Sequence, residues 1–350
     1  MGEWASFAVC CSHYTIAPWP RTKGPQTFPP SRRACHLSFD LPFGSVYTMR
    51  EVPSDFPTFE GGVHATAMAK FTLTGFADEI SPVLDEQLRV LNKLSIAYLE
   101  PRVVDGKNIA DYTPAQAAEV KRRLHDKGVR VSAVGSPMGK ISIEEDFAPH
   151  LDKFKNLLEV TRALDCDSIR LFSFFIPEGK DPWAYEGAVF DRLSAFVEAA
   201  RGSGVRLLHE NEKAIFGDVH ERCLRIHQTF PQILCTFDPS NYVQCGVDTK
   251  QAFEALLPYI RYMHMKDSVY VQNGVYRDHG FENVSDAHRP VGLGDGQVPY
   301  ILSRLRDLGY EGFLSIEPHL SASPAFGKDG EEKFTTAANA LCKLLQEIGE

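Results

Sequence analysis

From Phe71 onward, short apolar runs alternate with longer stretches whose apolar residues recur every three or four positions. The short runs are Phe71–Phe76, Ile96–Glu100, Val129–Val134, Ser168–Phe174, Val205–Glu210, Ile233–Phe237, Ile260–His264 and Gly312–Glu317. Their length and their content of β-branched and aromatic residues predict strands. The longer stretches predict helices over Pro82–Leu94, Thr113–Asp126, Phe147–Leu164, Tyr185–Ser203, Val219–Thr229, Thr249–Leu256, Val298–Leu308 and Glu331–Ile348. In the first of these, Leu84, Leu88 and Leu91 share one face. The second opens on Thr113-Pro114, an N-cap followed by proline at the first helical position. Lys127-Gly128 and Gly202-Ser203-Gly204 supply stops.

Eight strands alternating with eight helices over roughly 280 residues is the arithmetic of an α/β chain folded as a closed (β/α)8 TIM barrel. The rival, a doubly wound sheet, needs a phosphate-binding glycine turn after its first strand. Gly75-Phe76-Ala77-Asp78 is not one.

The pattern divides the chain near residue 68. Residues 1–67 hold eight of the 22 prolines and three of the eight cysteines, with no sustained period. Segments such as Ala17-Pro18-Trp19-Pro20 and Phe28-Pro29-Pro30-Ser31 can continue neither a helix nor a central strand. The expectation is an irregular N-terminal extension (1–67) before a barrel domain (68–350), or else a chain whose translation begins at Met68. The start lacks the basic and apolar regions of a secretory signal.

Composition narrows the classes. At 350 residues and 43% hydrophobic content, the chain can bury a full core. A net charge of -9 argues against a nucleic-acid footprint, which needs a basic face. No apolar stretch approaches the roughly 18 residues that span a bilayer. The cysteines are scattered without a Cys-x-x-Cys pair, which predicts reduced thiols and a cytoplasmic protein.

The candidate chemistry sits at the ends of the last four runs. Glu210 ends the fifth, Asp238 follows the sixth, His264 ends the seventh and Glu317 ends the eighth. In a closed parallel barrel the C-terminal strand ends converge on one face, so residues distant in sequence meet there. Three carboxylates and one imidazole suit a hard or borderline divalent cation. Taken singly, each carboxylate reads equally as a helix cap and His264 as a hydrogen-bonded structural residue. The four together predict one divalent ion, Mn²⁺ first, with Mg²⁺ or Co²⁺ as alternatives.

These motifs resemble the xylose isomerase-like barrel superfamily, whose members include ketose 3-epimerases and inosose isomerases and dehydratases. The matching residues are Glu210-Asn211, Asp238-Pro239-Ser240-Asn241, His264-Met265-Lys266-Asp267 and the block from Gly292-Leu293-Gly294-Asp295-Gly296 through Ser315-Ile316-Glu317-Pro318-His319. The likeness covers about residues 71–348. It implies one divalent cation held by Glu210, Asp238, His264 and Glu317. It further implies that Glu210 and Glu317 shuttle a proton while Asp238 and His264 serve only as ligands. One departure stands out: where many ketose epimerases carry histidine three residues past the aspartate ligand, this chain has Asn241. That brings inosose-type relatives closer.

The reaction this implies is isomerisation or epimerisation of a sugar or cyclitol by proton abstraction next to a carbonyl, through a metal-bound enediolate. A lyase is the alternative, since loss of a group beta to the abstracted proton gives elimination. Examples are an inosose dehydratase-like reaction, or the barrel subunit of an enzyme that cleaves C-glycosides of 3-oxo-sugars. Expected partners are a small carbohydrate substrate and either further copies of the chain or a small partner subunit, with no nucleic acid and no membrane. An abasic-site endonuclease of the same superfamily is disfavoured by the acidic balance, and a non-catalytic sugar-binding barrel is a further alternative. Expected substrate contacts are Glu100, Lys140, Asn241, Lys266 and His319. Asp78, Glu79, Arg102, Ser136 and Asp267 lie on the same face, Arg102, Lys140 and Arg277 are available to a phosphate, and Phe172, Phe174, Phe175 and Trp183 are an aromatic wall or core packing. His209 neighbours Glu210 and should face the helices. Gly292–Gly296 lacks the spacing of a nucleotide loop and reads as a turn into the next helix. Ser268–Arg289 is long and rich in Tyr, Asp and His, a candidate lid or partner-binding segment.

Overall fold

The computed structural model describes residues 69–272, 275–276, 287–320 and 324–350. The N-terminal extension expected over 1–67, and with it the domain boundary, lies outside the described residues. So does most of the Ser268–Arg289 segment, including Arg277.

Eight parallel strand positions close into a TIM barrel. They are β1 (Lys70–Gly75), β2 (Tyr98–Leu99), β3 (in two pieces, Arg130–Val131 and Val134–Gly135), β4 (Ser168–Leu171), β5 (Arg206–Glu210), β6 (Ile233–Phe237), β7 (Ile260–Met265) and β8 (Glu311–Ile316). Seven of these positions form one ladder in the order β1-β8-β7-β6-β5-β4-β3, the last through Val134–Gly135. The other piece of β3 pairs with β2, Tyr98 opposite Arg130. The Glu100 amide donates to the Gly75 carbonyl at 3.0 Å, which ties β2 to β1. The sequence reads the third strand as continuous over Val129–Val134. It is broken because its two halves hydrogen-bond to different neighbours. The fourth strand stops at Leu171, short of the Phe174 expected. Beyond it the Phe172 and Phe174 amides turn to the carbonyls of Met138 and Gly139, at 2.8 and 3.0 Å.

The helices are α1 (Leu84–Lys93), α2 (Pro114–Asp126), α3 (Ala148–Ala163), α4 (Glu186–Ala200), α5 (His220–Thr229), α6 (Pro239–Gln244), α7 (Thr249–Leu256), α8 (Val298–Asp307) and α9 (Gly330–Glu347). The Thr113-Pro114 start of α2 is a full capping box: Gln116 N–H donates to Thr113 Oγ1, and Thr113 N–H donates to Gln116 Oε1. Helix α6 was not foreseen, since six residues are too few to show a period. Its signal was local: Asp238 as N-cap, accepting from the Asn241 amide, with Pro239 at the first position.

Two apolar regions follow from strand alternation. Outward-facing Ile169, Leu171, Phe237, Met263, Leu314 and Ile316 belong to one continuous core with Leu193, Phe196, Phe253, Leu302 and Phe334 from the helices. Truncating one of these, Leu314 for instance, to alanine would cost about 2–5 kcal/mol. Inside the barrel, Ala133, Leu208 and Tyr262 form a small floor backed by Leu234 and Phe313. Polar groups stand on that floor and lead upward to the C-terminal mouth. The five described cysteines are free. Among the described residues no helix is long and apolar enough to cross a membrane.

Candidate metal centre and active site

Alternation along each strand decides which polar side chains enter the barrel. On β5, Glu210 points inward and its neighbour His209 outward, where Nε2 lies 2.9 Å from Ser173 Oγ. On β7 and just beyond it, His264 and Lys266 point inward and Asp267 outward. Asp238 and Glu317 follow β6 and β8 directly.

The four residues singled out as ligands meet. Glu210, Asp238, His264 and Glu317 each present one ligand atom, and these atoms lie within 4.8 Å of one another, all four side chains being buried. His264 Nδ1 is 3.1 Å from Glu210 Oε1 and 3.4 Å from Glu317 Oε2. Its other nitrogen, Nε2, faces Glu100 Oε1 at 3.3 Å.

The far oxygen of each glutamate is held by an arginine. Arg170 Nη1 donates to Glu210 Oε2 at 2.5 Å, and Arg102 Nη1 donates to Glu317 Oε1 at 3.1 Å. Asn241 Nδ2 donates to Glu210 Oε1 at 3.2 Å and to the Asn211 carbonyl at 2.8 Å. Asn211 in turn clasps the Asp238 backbone through both its amide nitrogen and oxygen. Lys266 Nζ sits 2.8 Å from Asp238 Oδ2 and 3.3 Å from Glu317 Oε2.

The charges in this cluster are strongly coupled. Burial works against the ionised forms of Glu210 and Glu317. It is outweighed at Glu210 by His264 and Arg170, and at Glu317 by Lys266 and His319, so both carboxyls fall well below the usual range. Burial likewise opposes the His264 cation, but Glu210 and Glu100 overcome it and push its pKa up to about 10. At Asp238 burial dominates over the Lys266 ammonium, and its pKa rises to about 7.

The donor set fits a divalent cation. Asp238 Oδ2 and His264 Nδ1 are buried and make no hydrogen bond of acceptable geometry, although Lys266 and Glu210 lie close to them. A buried acceptor left unmade is costly, and coordination is what such atoms commonly serve. Three carboxylate oxygens and an imidazole nitrogen would hold the ion. Glu100 behind His264 supplies the carboxylate that usually orients a ligating imidazole.

The remaining site residues fall in several places. Glu100, expected as a substrate contact, lies beneath the cluster with no exposure. Its carboxylate accepts from Tyr262 Oη at 2.8 Å and Ser315 Oγ at 2.6 Å. Tyr262 and Ser132 continue that chain of hydroxyls down to Thr74. A carboxylate so enclosed supports His264 and does not reach a sugar, which corrects the expectation. Asn241 and Lys266 likewise face the ligands. Lys140 and His319 stand at the mouth, their side chains 33% and 37% exposed. Lys140 pairs with Glu212 at 2.9 Å. His319 bridges Glu79 and Glu317, 3.2 Å from each, from a left-handed backbone at φ 46.

Of the four aromatics, Phe172 lies under the guanidinium of Arg170 and the ammonium of Lys140, at 4.5 and 4.2 Å. Phe174 stacks on Phe196 in the core, and Trp183 packs edge-on against Phe216. Ser136 Oγ is spent on the Arg170 carbonyl. Arg170 and Glu212 were missed. Arg170 carried a legible signal, a charge inside the apolar run Ser168-Ile169-Arg170-Leu171, at the parity that faces the barrel axis.

The glycine run has a definite task. The amides of Gly292, Gly294 and Gly296 donate to the Asp267 carboxylate at 2.9 to 3.0 Å, joined by that of Ser268 at 2.9 Å. A Cβ on Gly294 would stand 2.3 Å from Asp267 Oδ1. The turn therefore cradles a side chain of the protein itself and no nucleotide phosphate.

A closed parallel barrel with a carboxylate-rich cluster at its C-terminal mouth defines a class: α/β barrels whose site is suited to a divalent ion. Within that class the family is shown by the sequence itself. Residues 88–344 match the family model described as the xylose isomerase-like TIM barrel, and the chain belongs to that family. No curated protein matches the chain. Among solved structures it is similar to the IOLI protein with a binding zinc atom, at 16% identity and TM-score 0.62 over 79% of this chain and 98% of that one. It is similar to a D-tagatose 3-epimerase-like protein, at 17% identity and TM-score 0.61 over 80% and 98%. A third is the probable 3-DHS dehydratase AsbF of Bacillus anthracis, at 17% identity and TM-score 0.59 over 78% and 98%. Likeness at such identities shows the shared fold alone.

Proposed function

We propose that this protein is a divalent-metal-dependent carbohydrate isomerase or epimerase that moves a proton at the carbon next to a carbonyl. The observation that carries the reading is the placement of Glu210 and Glu317 on either side of His264, each with one oxygen on an arginine and the other turned to the shared centre. Glu210, Asp238, His264 and Glu317 would hold the ion, Mn²⁺ being our first choice. The ion, when bound, polarises a substrate carbonyl and acidifies the neighbouring C–H.

The protein's own groups do the rest. Glu210 and Glu317 are kept ionised by Arg170 and Arg102, so either accepts a proton. Reaching the substrate from opposite flanks, one removes the proton from one face and the other returns it to the opposite face, which inverts the centre. The fixed arginines hold both carboxylates in the geometry of attack, which is where most of the rate is gained. Lys266, buried between Asp238 and Glu317, stays cationic and is placed to steady negative charge on an enediolate oxygen. His319 and Lys140, at the mouth, are the residues we assign to sugar hydroxyls.

Elimination is the second reading. It shares the proton abstraction, and a dehydratase stands among the structural neighbours. Incubation with ketoses, inososes and 3-oxo-glycosides in deuterated water with added Mn²⁺ separates the two. Deuterium at the carbon beside the carbonyl without loss of a group supports isomerisation or epimerisation. Loss of water or aglycone supports the lyase. Absence of exchange from all three substrate classes would sink both.

A further inference from the structure

We infer that the substrate of this site is an uncharged polyol, a free sugar or cyclitol, and not a phosphate ester; the inference rests on the carbonyl chemistry proposed above. The cations that face the cluster are already engaged twice over, by a carboxylate and, for three of the four, by an aromatic face. Arg102 donates to Asp78 and Glu317 at 2.9 and 3.1 Å and lies 4.6 Å above the Phe76 ring. Arg170 is fixed on Glu210 and packs between Phe76 and Phe172, at 5.5 and 4.5 Å. Lys140 pairs with Glu212 at 2.9 Å and stands 4.2 Å over Phe172. Lys266 lies buried between Asp238 and Glu317.

A phosphate group entering this mouth would need one of these cations to release its carboxylate, and the released carboxylate would remain buried and unpaired. Removing one partner of a buried pair costs roughly 3–5 kcal/mol, more than the ~1.5–3 kcal/mol a new charge-assisted hydrogen bond returns. The carboxylates also outnumber the cations. Asp78, Glu79, Glu210, Glu212, Asp238 and Glu317 face Arg102, Lys140, Arg170 and Lys266 before the buried Glu100 and Asp267 are counted. A single divalent ion offsets that excess, whereas a phosphate dianion deepens it. Hydroxyl groups suffer neither penalty. They donate to the carboxylates at the rim, Glu79 and Glu212, and accept from the half-exposed Lys140 and His319.

The nest at Gly292–Gly296, the one glycine-rich turn near the mouth among the described residues, is filled by Asp267. It offers a phosphate no backbone cradle.

The test uses the full chain loaded with Mn²⁺, and inorganic phosphate as the probe. Calorimetric titration of wild type should show no saturable phosphate binding. Glu212→Gln, which frees Lys140 at the rim without touching the ligand cluster, should gain phosphate affinity by about tenfold or more over wild type. Wild type binding phosphate as tightly as the variant would overturn the inference. In parallel, deuterium exchange is followed for a neutral ketose or inosose and for its phosphate ester. Faster exchange of the neutral compound supports the inference. Faster exchange of the ester overturns it while leaving the proton-transfer reading intact. Exchange of neither compound would fault that reading, and the phosphate titration would then decide the inference alone.

Discussion

The barrel wall separates two populations of buried polar groups that are treated oppositely. Inside the mouth, Glu210, Asp238, His264, Lys266 and Glu317 touch one another, and each sets the ionisation of its neighbours. Outside it, between strands and helices, each polar group has fixed local partners. His209 rests on Ser173, His227 Nδ1 on the Ile233 carbonyl at 2.9 Å, and Asp267 on four backbone amides. Two adjacent residues, His209 and Glu210, belong to different populations because strand side chains alternate. The outer groups are satisfied and fix loops in place. The inner ones are over-charged and incompletely satisfied, which is the condition of a site awaiting a cation.

The contrast is most sharply broken by removing an inner carboxylate. Glu210→Gln or Glu317→Gln should lower turnover by about 10³-fold, as loss of a general acid or base does, while the denaturant midpoint stays close to wild type. A parallel fall in stability would show that these residues are structural.

Next in size is an outer-shell change. Gly294→Ala places a Cβ 2.3 Å from Asp267 Oδ1 and 2.6 Å from the Ser268 carbonyl. Displacing Asp267 from its nest should cost about 2–3 kcal/mol in urea unfolding. The surviving folded protein should bind Mn²⁺ almost as wild type does. Lost metal affinity in that folded fraction would mean that the two populations are not separate.

Glu100→Gln probes the link between the floor and His264. Outer carboxylates behind a ligating histidine are worth about 10–100-fold in metal affinity. Calorimetry should find a loss of that order, with KM for substrate affected less than kcat. A change confined to KM would return Glu100 to the role of substrate contact.

The smallest effect is a slope. Burial lowers the pKa of His209 to about 3, with His227 lowering it further, and burial lowers that of His227 to about 4. An unfolded imidazole takes up its proton near pH 6.5. The unfolded chain therefore binds more protons between pH 6.5 and about 4, and stability falls as pH falls through that window. Each group contributes up to about 1.4 kcal/mol per pH unit. His209→Gln should flatten the dependence of the urea midpoint on pH over that range. An unchanged slope would show that His209 is protonated in the folded protein.

Legibility followed the same wall. Strand alternation and the helical period carried the barrel, because repeated local pattern is what a (β/α)8 fold is made of. The ligand quartet was readable because each member ends a strand, and closure brings strand ends together. What escaped depends on particular partners. Lys266 and Asn241 were read as sugar contacts from their places at strand ends, yet their atoms are taken by Asp238 and Glu210. Glu100 stands at the end of β2 like the ligands, but the hydroxyls of Tyr262 and Ser315 claim it, and neither is near it in sequence. The glycine run was recognised as a turn into a helix. That it encloses Asp267 follows only from the loop's three-dimensional path.

One titration bears on everything above: Mn²⁺ added to metal-free wild type and to Asp238→Asn, followed by calorimetry. The account predicts one ion bound per wild-type chain and no measurable binding by the variant at the same concentrations, with both proteins folded by circular dichroism. A wild-type chain that binds no divalent ion, or a variant that binds it as tightly, would contradict the convergence of Glu210, Asp238, His264 and Glu317 on a shared ion.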